Sequence, residues 1–152
     1  MKLTLKKLVI LLASILAVVT FVMMFVSPLT VDLGILGSEA AEFKDVYFPE
    51  EGGKFLWPSV LAYGLSLLAA IGLFLTCLKK AKNVRLIRFI SSLILIAVGI
   101  VLFCTVDIYI GVNELPSDTK EILVLGTGPT LGAIFALVGG VATLIVDFAL
   151  KD

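Results

Sequence analysis

The stretch LGTGPTLGAIFALVGG, Leu125 to Gly140, combines five glycines with one proline and carries no charged residue. Glycines at this density occur in phosphate-binding loops, at helix starts and on surfaces where two helices pack closely. A phosphate-binding loop requires G-x-G-x-x-G, or a glycine followed by lysine and Ser/Thr. Leu131 stands where the third glycine belongs, and the stretch contains no lysine. We therefore exclude a nucleotide site, and expect Gly126 and Gly128 to let the chain turn into a helix.

The chain around this stretch is more apolar than a soluble domain. It is 60% hydrophobic and 16% charged, with a mean hydropathy of +1.15, whereas soluble domains are about half apolar and about a quarter charged. The uncharged blocks are Leu8–Val26, Ser59–Leu78, Phe89–Val106 and Pro129–Val146. Each has roughly the 18 to 20 residues that a helix needs to cross the hydrocarbon core. The sequence therefore predicts an all-α transmembrane protein.

We predict a single four-helix membrane domain over residues 1–152. Its helices are expected at about 8–26, 58–78, 87–106 and 129–150, joined by outer loops 27–57 and 107–128. Trp57 precedes Pro58 at the start of the second helix. An indole at that position suits the aromatic belt of a membrane interface, so Trp57 is the predicted interface anchor.

Basic residues are distributed unequally among the segments between the blocks. Nine lie before the first block, between the second and third, or after the fourth: Lys2, Lys6, Lys7, Lys79, Lys80, Lys82, Arg85, Arg88 and Lys151. The other two links hold three: Lys44, Lys54 and Lys120. The positive-inside rule then predicts a multi-pass protein of the cell membrane with both termini cytoplasmic. The first apolar run also resembles a secretory signal, but it is long and lacks a prompt A-x-A-like site, so we expect an uncleaved helix.

Small residues recur at four-residue spacing on two of the helices. They are Gly132, Ala136 and Gly140 on the fourth, and Ala62, Ser66 and Ala70 on the second. Such ridges let helix backbones approach closely in lipid. They suit contacts inside a bundle or between two copies. We favour the first because all four helices need neighbours.

The two outer loops contain short apolar segments between acidic ones. The first holds LTVDLGIL and FKDVYF; in the second, DIYIGV and EILVLG flank NELPSDTK. Alternation in DIYIGV and β-branched residues in EILVL are typical of strands. We predict a small extracellular β-element built from both loops.

Groups with chemical reactivity are scarce. The chain has no histidine, and no charged residue lies in the middle of a predicted helix. We predict no catalytic, cofactor-binding or metal-binding residue, and no enzymatic activity. Asp147, near the end of the fourth helix, is expected to pair with Lys151 or with the basic link.

Taken together, four helices, cytoplasmic termini, a long first outer loop with strand character, a short basic link and a glycine-rich last helix resemble a claudin-type tetraspan. The segment LGTGPTLGAIFALVGGVATL is also similar to the closing helix of small uncharacterised four-helix membrane proteins of bacteria. The claudin loop signature is missing, because Trp57 is the only tryptophan and neither Cys77 nor Cys104 lies in the first loop. Junction formation and site residues are therefore not carried over.

Three classes of function remain open. The leading expectation is a non-enzymatic accessory or scaffold subunit that contacts another membrane protein, or a further copy of itself, through its outer loops and small-residue helix faces. The alternatives are an oligomeric pore or small transporter and, less favoured, an outer-face lipid-modifying enzyme. The expected partners are membrane lipid and membrane protein, with no nucleic acid and no cofactor.

Overall fold

The computed structural model describes residues 4–32, 37–49, 54–78, 82–116, 118–119 and 122–150. The helices are α1 (Leu5–Val22, extended by the 3-10 turn Met23–Phe25), α2 (Phe43–Tyr47), α3 (Trp57–Cys77), α4 (Val84–Phe103), α5 (Thr105–Val112) and α6 (Thr127–Ala149). The strands are β1 (Leu29–Asp32), β2 (Ser38–Ala40) and β3 (Leu123–Leu125).

Four of these helices are long and apolar enough to cross a membrane. With its 3-10 turn, α1 has 21 residues, and α3, α4 and α6 have 21, 20 and 23, with mean hydropathies between 2.1 and 2.9. Large apolar side chains such as Leu68 and Ile145 remain 62% and 59% exposed on their outer surfaces. The four expected long helices are thus present, and they are compatible with a multi-pass membrane protein.

The long helices form a ring in which each packs against two others. Helix α1 contacts α3 and α6, and α4 contacts the same two helices. The chain direction alternates, so every neighbouring pair is antiparallel, as in an up-down-up-down bundle. We call the end near Lys6, Cys77, Arg88 and Asp147 the basic end. The opposite end, which carries the three strands with α2 and α5, is the sheet end.

The bundle interior contains the small residues of the two ridges. All six are buried: Ala62, Ser66, Ala70, Gly132, Ala136 and Gly140. A Cβ atom at Gly140 would lie 2.9 Å from the carbonyl oxygen of Ser92 in α4. The Ser14 hydroxyl of α1 donates a hydrogen bond of 2.8 Å to the Ala70 carbonyl oxygen of α3. Both ridges therefore face neighbouring helices of the same chain.

The sheet end contains an antiparallel sheet in the order β2-β1-β3. Thr30 of β1 lies opposite Ala40 of β2 on one side and Val124 of β3 on the other. Strands β1 and β2 come from the first loop and β3 from the second, within EILVLG. The expected small β-element is therefore present and includes both loops.

DIYIGV, which was expected to be a strand, and FKDVY, part of an apolar run in the first loop, are helical. DIYIGV lies within α5, where Ile108, Tyr109 and Val112 pack against the buried core. Their spacing places them on one face of a helix, whereas a strand would direct the first two to opposite faces. FKDVY forms α2, and its adjacent residues Val46 and Tyr47 are both buried, at 3% and 0% exposure. Burial of consecutive side chains on one side overrides the β propensity of both segments.

The glycines at the start of α6 allow two backbones to touch. Gly126 N–H donates to the Pro28 carbonyl oxygen at 3.0 Å, and Gly128 N–H donates to that of Ser27 at 3.1 Å. A Cβ atom at Gly126 would overlap the Ser27 oxygen, and one at Gly128 would lie 2.5 Å from the Val26 oxygen. Gly126 has a φ of −72°, so close approach rather than a left-handed turn requires glycine there. This contact positions β1 beside β3.

Candidate functional site at the basic end

Three charged side chains from three helices meet at the basic end. Lys6 Nζ lies 3.2 Å from Asp147 Oδ1, and Arg88 Nη1 lies 3.6 Å from the same oxygen. The three side chains are only 6%, 3% and 4% exposed for Lys6, Arg88 and Asp147. We call this group the charge cluster.

Each member of the charge cluster lies near the end of its helix. Lys6 is the second residue of α1, Arg88 the fifth of α4, and Asp147 the third from the end of α6. In the alternating bundle these positions fall at the same level. A long basic side chain can place its apolar stem against the helices while its charged group meets the carboxylate.

Hydrogen bonds extend the cluster to the remaining long helix. Arg88 Nε donates to Thr76 Oγ1 of α3 at 3.4 Å, and Lys6 Nζ donates to the Leu150 carbonyl oxygen at 3.0 Å. The Thr76 hydroxyl in turn donates to the Leu73 carbonyl oxygen at 2.7 Å. All four long helices are thus connected through polar contacts at one level.

The cluster places one carboxylate between two cations. Asp147 Oδ1 has two ionic contacts but no hydrogen bond of regular geometry within the described structure. Among the described residues, no three of His, Cys, Asp and Glu are grouped so that they could hold a metal ion.

A cleft of about 690 Å³ opens next to the cluster, between the start of α4 and the end of α6. Its lining residues are Lys82, Asn83, Val84, Arg85, Leu86, Phe89, Asp147 and Phe148. The Arg85 guanidinium carbon lies 5.9 Å from the centre of the Phe148 ring. Phe148 also meets Phe89 edge to face, with 6.5 Å between ring centres.

A pair of phenols closes the sheet end. The hydroxyl oxygens of Tyr47 in α2 and Tyr63 in α3 lie 3.2 Å apart, and both side chains are fully buried. Burial raises the pKa of Tyr47 well above its ordinary value, and the neighbouring Tyr63 raises it further. Tyr47 therefore stays a neutral hydrogen-bonding group that ties α2 to the bundle.

Four large apolar side chains outside the long helices are exposed at the sheet end. Phe48 and Phe55 are 43% and 49% exposed, and Ile122 and Val124 are 47% and 49% exposed. The rings of Phe48 and Phe55 lie 5.4 Å apart between centres. We call these four side chains the apolar sheet-end surface. Trp57, at the first position of α3, is 57% exposed at the same end.

The partners of Asp147 include one that the sequence indicated and one that it did not. Contact with the basic link was an expected alternative, and Arg88 at the end of that link provides it. The other alternative, Lys151, lies outside the described residues. Sequence reasoning missed Lys6. The signal that could have identified Lys6 is its position in the sequence. Lys6 and Arg88 are among the basic residues closest to an apolar block, and Asp147 is among the acidic residues closest to one.

No protein-family model, curated protein or solved structure matches this chain at a significant level. The likeness to claudin-type tetraspans and to bacterial four-helix proteins is therefore limited to four long apolar helices. The fold defines a protein with four long apolar helices, compatible with several membrane crossings.

Proposed function

We propose that this chain is a non-enzymatic integral membrane protein, an accessory or scaffold subunit that contacts another membrane protein through its sheet end. The observation that carries the proposal is the apolar sheet-end surface, formed by Phe48, Phe55, Ile122 and Val124 at 43% to 49% exposure. Large apolar side chains exposed outside the long helices are typical of protein contact sites.

Other surfaces of the molecule are less suited to contact a partner protein. The small-residue ridges, an alternative contact surface, are buried within the chain's own bundle. Leu73, Leu95 and Leu102 are fully buried in its interior, so a pore would require several copies around a shared axis. The outer loops are thus the part of the expected interface that stays accessible.

The sheet offers a second means of contact. Among the described residues, β2 and β3 each pair with β1 alone. A strand at the side of a sheet presents unpaired N–H and C=O groups to which an extended segment can add. Val124 on β3 is exposed beside that edge. Backbone pairing and apolar contact then act on the same partner.

The proposal places the sheet end outside the cell and both termini in the cytoplasm, with charge asymmetry as its support. We expect a single cysteine introduced at Asp118 to react with an impermeant reagent in intact cells, and one at Lys82 not to react. Cys77 and Cys104 are replaced by alanine in the parent. Glu50, a second expected outer position, lies outside the described residues. External labelling at position 82 would contradict this orientation.

The contact itself is tested by purification in mild detergent followed by mass spectrometry. We expect a stoichiometric membrane-protein partner that is lost from Phe48→Ala/Phe55→Ala, because buried aromatic anchors carry much of an interface's free energy. Phe74→Ala is the matched control: Phe74 is 46% exposed but lies on the membrane-facing surface of α3. A homo-oligomer that conducts ions in liposomes would instead support the pore alternative.

A further inference from the structure

The cleft beside the charge cluster is polar at one end and apolar at the other. Lys82 and Asn83 precede α4, and Arg85 lies in its first turn, all three exposed. Phe89 lies six residues beyond Asn83, which corresponds to about 9 Å along a helix. On the opposite wall, Phe148 is 67% exposed. The cleft therefore changes from cationic to aromatic along the helix axis.

This order matches that of a bilayer, in which phosphates lie above acyl chains. Lys82 and Arg85 lie where α4 begins, and Phe89 is the first residue of the uncharged part of that helix. A ligand that fits both halves is an amphiphile with an anionic head. Free phosphate compounds would use only the cationic half.

Arg85 is held in a position that suits a phosphate. Its guanidinium carbon is 5.9 Å from the centre of the Phe148 ring, within the range of a cation–π contact. A cation–π contact leaves the guanidinium N–H groups able to donate hydrogen bonds. Those groups form paired hydrogen bonds with phosphate oxygens.

The carboxylate in the cleft does not cancel this positive charge. Asp147 lines the cleft but has ionic contacts with Lys6 at 3.2 Å and Arg88 at 3.6 Å. An anion at the mouth therefore meets Lys82 and Arg85 while the carboxylate is already neutralised by buried cations.

We propose that this cleft binds an anionic phospholipid, with its phosphate at Lys82 and Arg85 and its acyl chains against Phe89 and Phe148. Basic clefts between membrane helices are suited to such headgroups. The bound lipid would lie between α4 and α6 next to the charge cluster and contact both helices at once.

Native mass spectrometry of the full chain, with phosphatidylglycerol against phosphatidylcholine, tests the proposal. We expect the parent to prefer phosphatidylglycerol and Lys82→Gln/Arg85→Gln to bind it about twenty-five-fold more weakly, from roughly five-fold per charge. Lys44→Gln/Lys54→Gln removes the same charge at the sheet end and should keep the parent's preference. All four positions are exposed, and melting temperature confirms that each variant folds.

Two further measurements separate the lipid from other sources of phosphate. Phe148→Ala keeps every charge but should weaken phosphatidylglycerol binding, and soluble glycerol phosphate should not displace the lipid. The proposal is overturned if the parent shows no preference, if the control pair loses as much affinity as the cleft pair, or if glycerol phosphate competes at millimolar concentration. If Phe148→Ala weakened phosphatidylglycerol binding by less than about two-fold, the acyl chains would not lie against Phe148.

Discussion

Replacing Asp147 by asparagine removes the charge that Lys6 and Arg88 share and preserves the shape of the side chain. The two cations then remain 6% and 3% exposed, with a neutral amide in place of a carboxylate. Breaking a buried ion pair in this way is costly, because a charge without its partner remains out of water.

The expected magnitude follows from the number and depth of the contacts. Removing one partner of a buried pair costs about 3–5 kcal/mol, and Asp147 has two such contacts. Lys6 is the second residue of α1, so its flexible stem can extend towards the helix end. This reduces the free-energy cost of losing the carboxylate. We therefore expect a loss near 3 kcal/mol, which corresponds to roughly 6–12 °C in melting temperature for a domain of this length.

The assay is thermal unfolding of the purified variant in detergent, compared with Glu114→Gln. Glu114 forms an ion pair of 3.4 Å with Lys54, and their side chains are 81% and 59% exposed. Loss of an exposed pair changes stability by less than about 1 kcal/mol. An apolar triple variant, Lys6→Met/Arg88→Met/Asp147→Leu, should recover most of the loss, since it leaves no buried charge. If Asp147→Asn had the same melting temperature as Glu114→Gln, the charge cluster would not stabilise the basic end.

Three further substitutions test the packing of the bundle and the sheet end, each by melting temperature in detergent. Gly140→Ala should destabilise by about 1–3 kcal/mol because its Cβ meets the α4 backbone at 2.9 Å, while Gly139→Ala, with 3.5 Å available, should be neutral or slightly stabilising; equal effects would contradict the packing. Gly126→Ala should also destabilise, despite its φ of −72°, because the backbone before β1 occupies the space; a neutral result would show that this contact is dispensable. Tyr47→Phe should cost about 1–3 kcal/mol by leaving the buried Tyr63 hydroxyl unpaired, and the double phenylalanine variant should cost less than the sum of the singles.

The long helices were predictable because one physical requirement determines their length and composition. A segment that crosses lipid must satisfy its backbone internally and remain apolar for about twenty residues, and both features are visible in local composition. The structure starts α4 at Val84 and α6 at Thr127, within three residues of the expected positions. Helix ends next to charged links are the least determined by this criterion.

The loops were less predictable because tertiary contacts determine the conformation of short segments. DIYIGV has the alternation of a strand, yet it lies in α5, which follows α4 after the single residue Cys104, and its apolar side chains pack on the bundle. LTVD, part of an apolar run in the first loop, forms β1. What decides its pairing is Gly126, whose missing side chain admits the backbone before β1. Contacts between residues a hundred positions apart leave no periodic signal.

Function is expected where polar, charged or aromatic groups remain accessible and are not already bonded within the chain. Within the spans, the Ser14 hydroxyl bonds to the Ala70 carbonyl oxygen, and those of Ser92 and Thr143 bond to carbonyl oxygens of their own helices. Ser59, in the first turn of α3, is a buried hydroxyl without a described partner. Because the hydroxyls of Ser14, Ser92 and Thr143 already donate hydrogen bonds within the chain, they offer little for binding a transported solute. The accessible groups lie at the two ends, as charges and aromatic rings at one and an apolar sheet surface at the other. Variants at either end that leave the melting temperature unchanged but abolish binding would therefore separate function from folding.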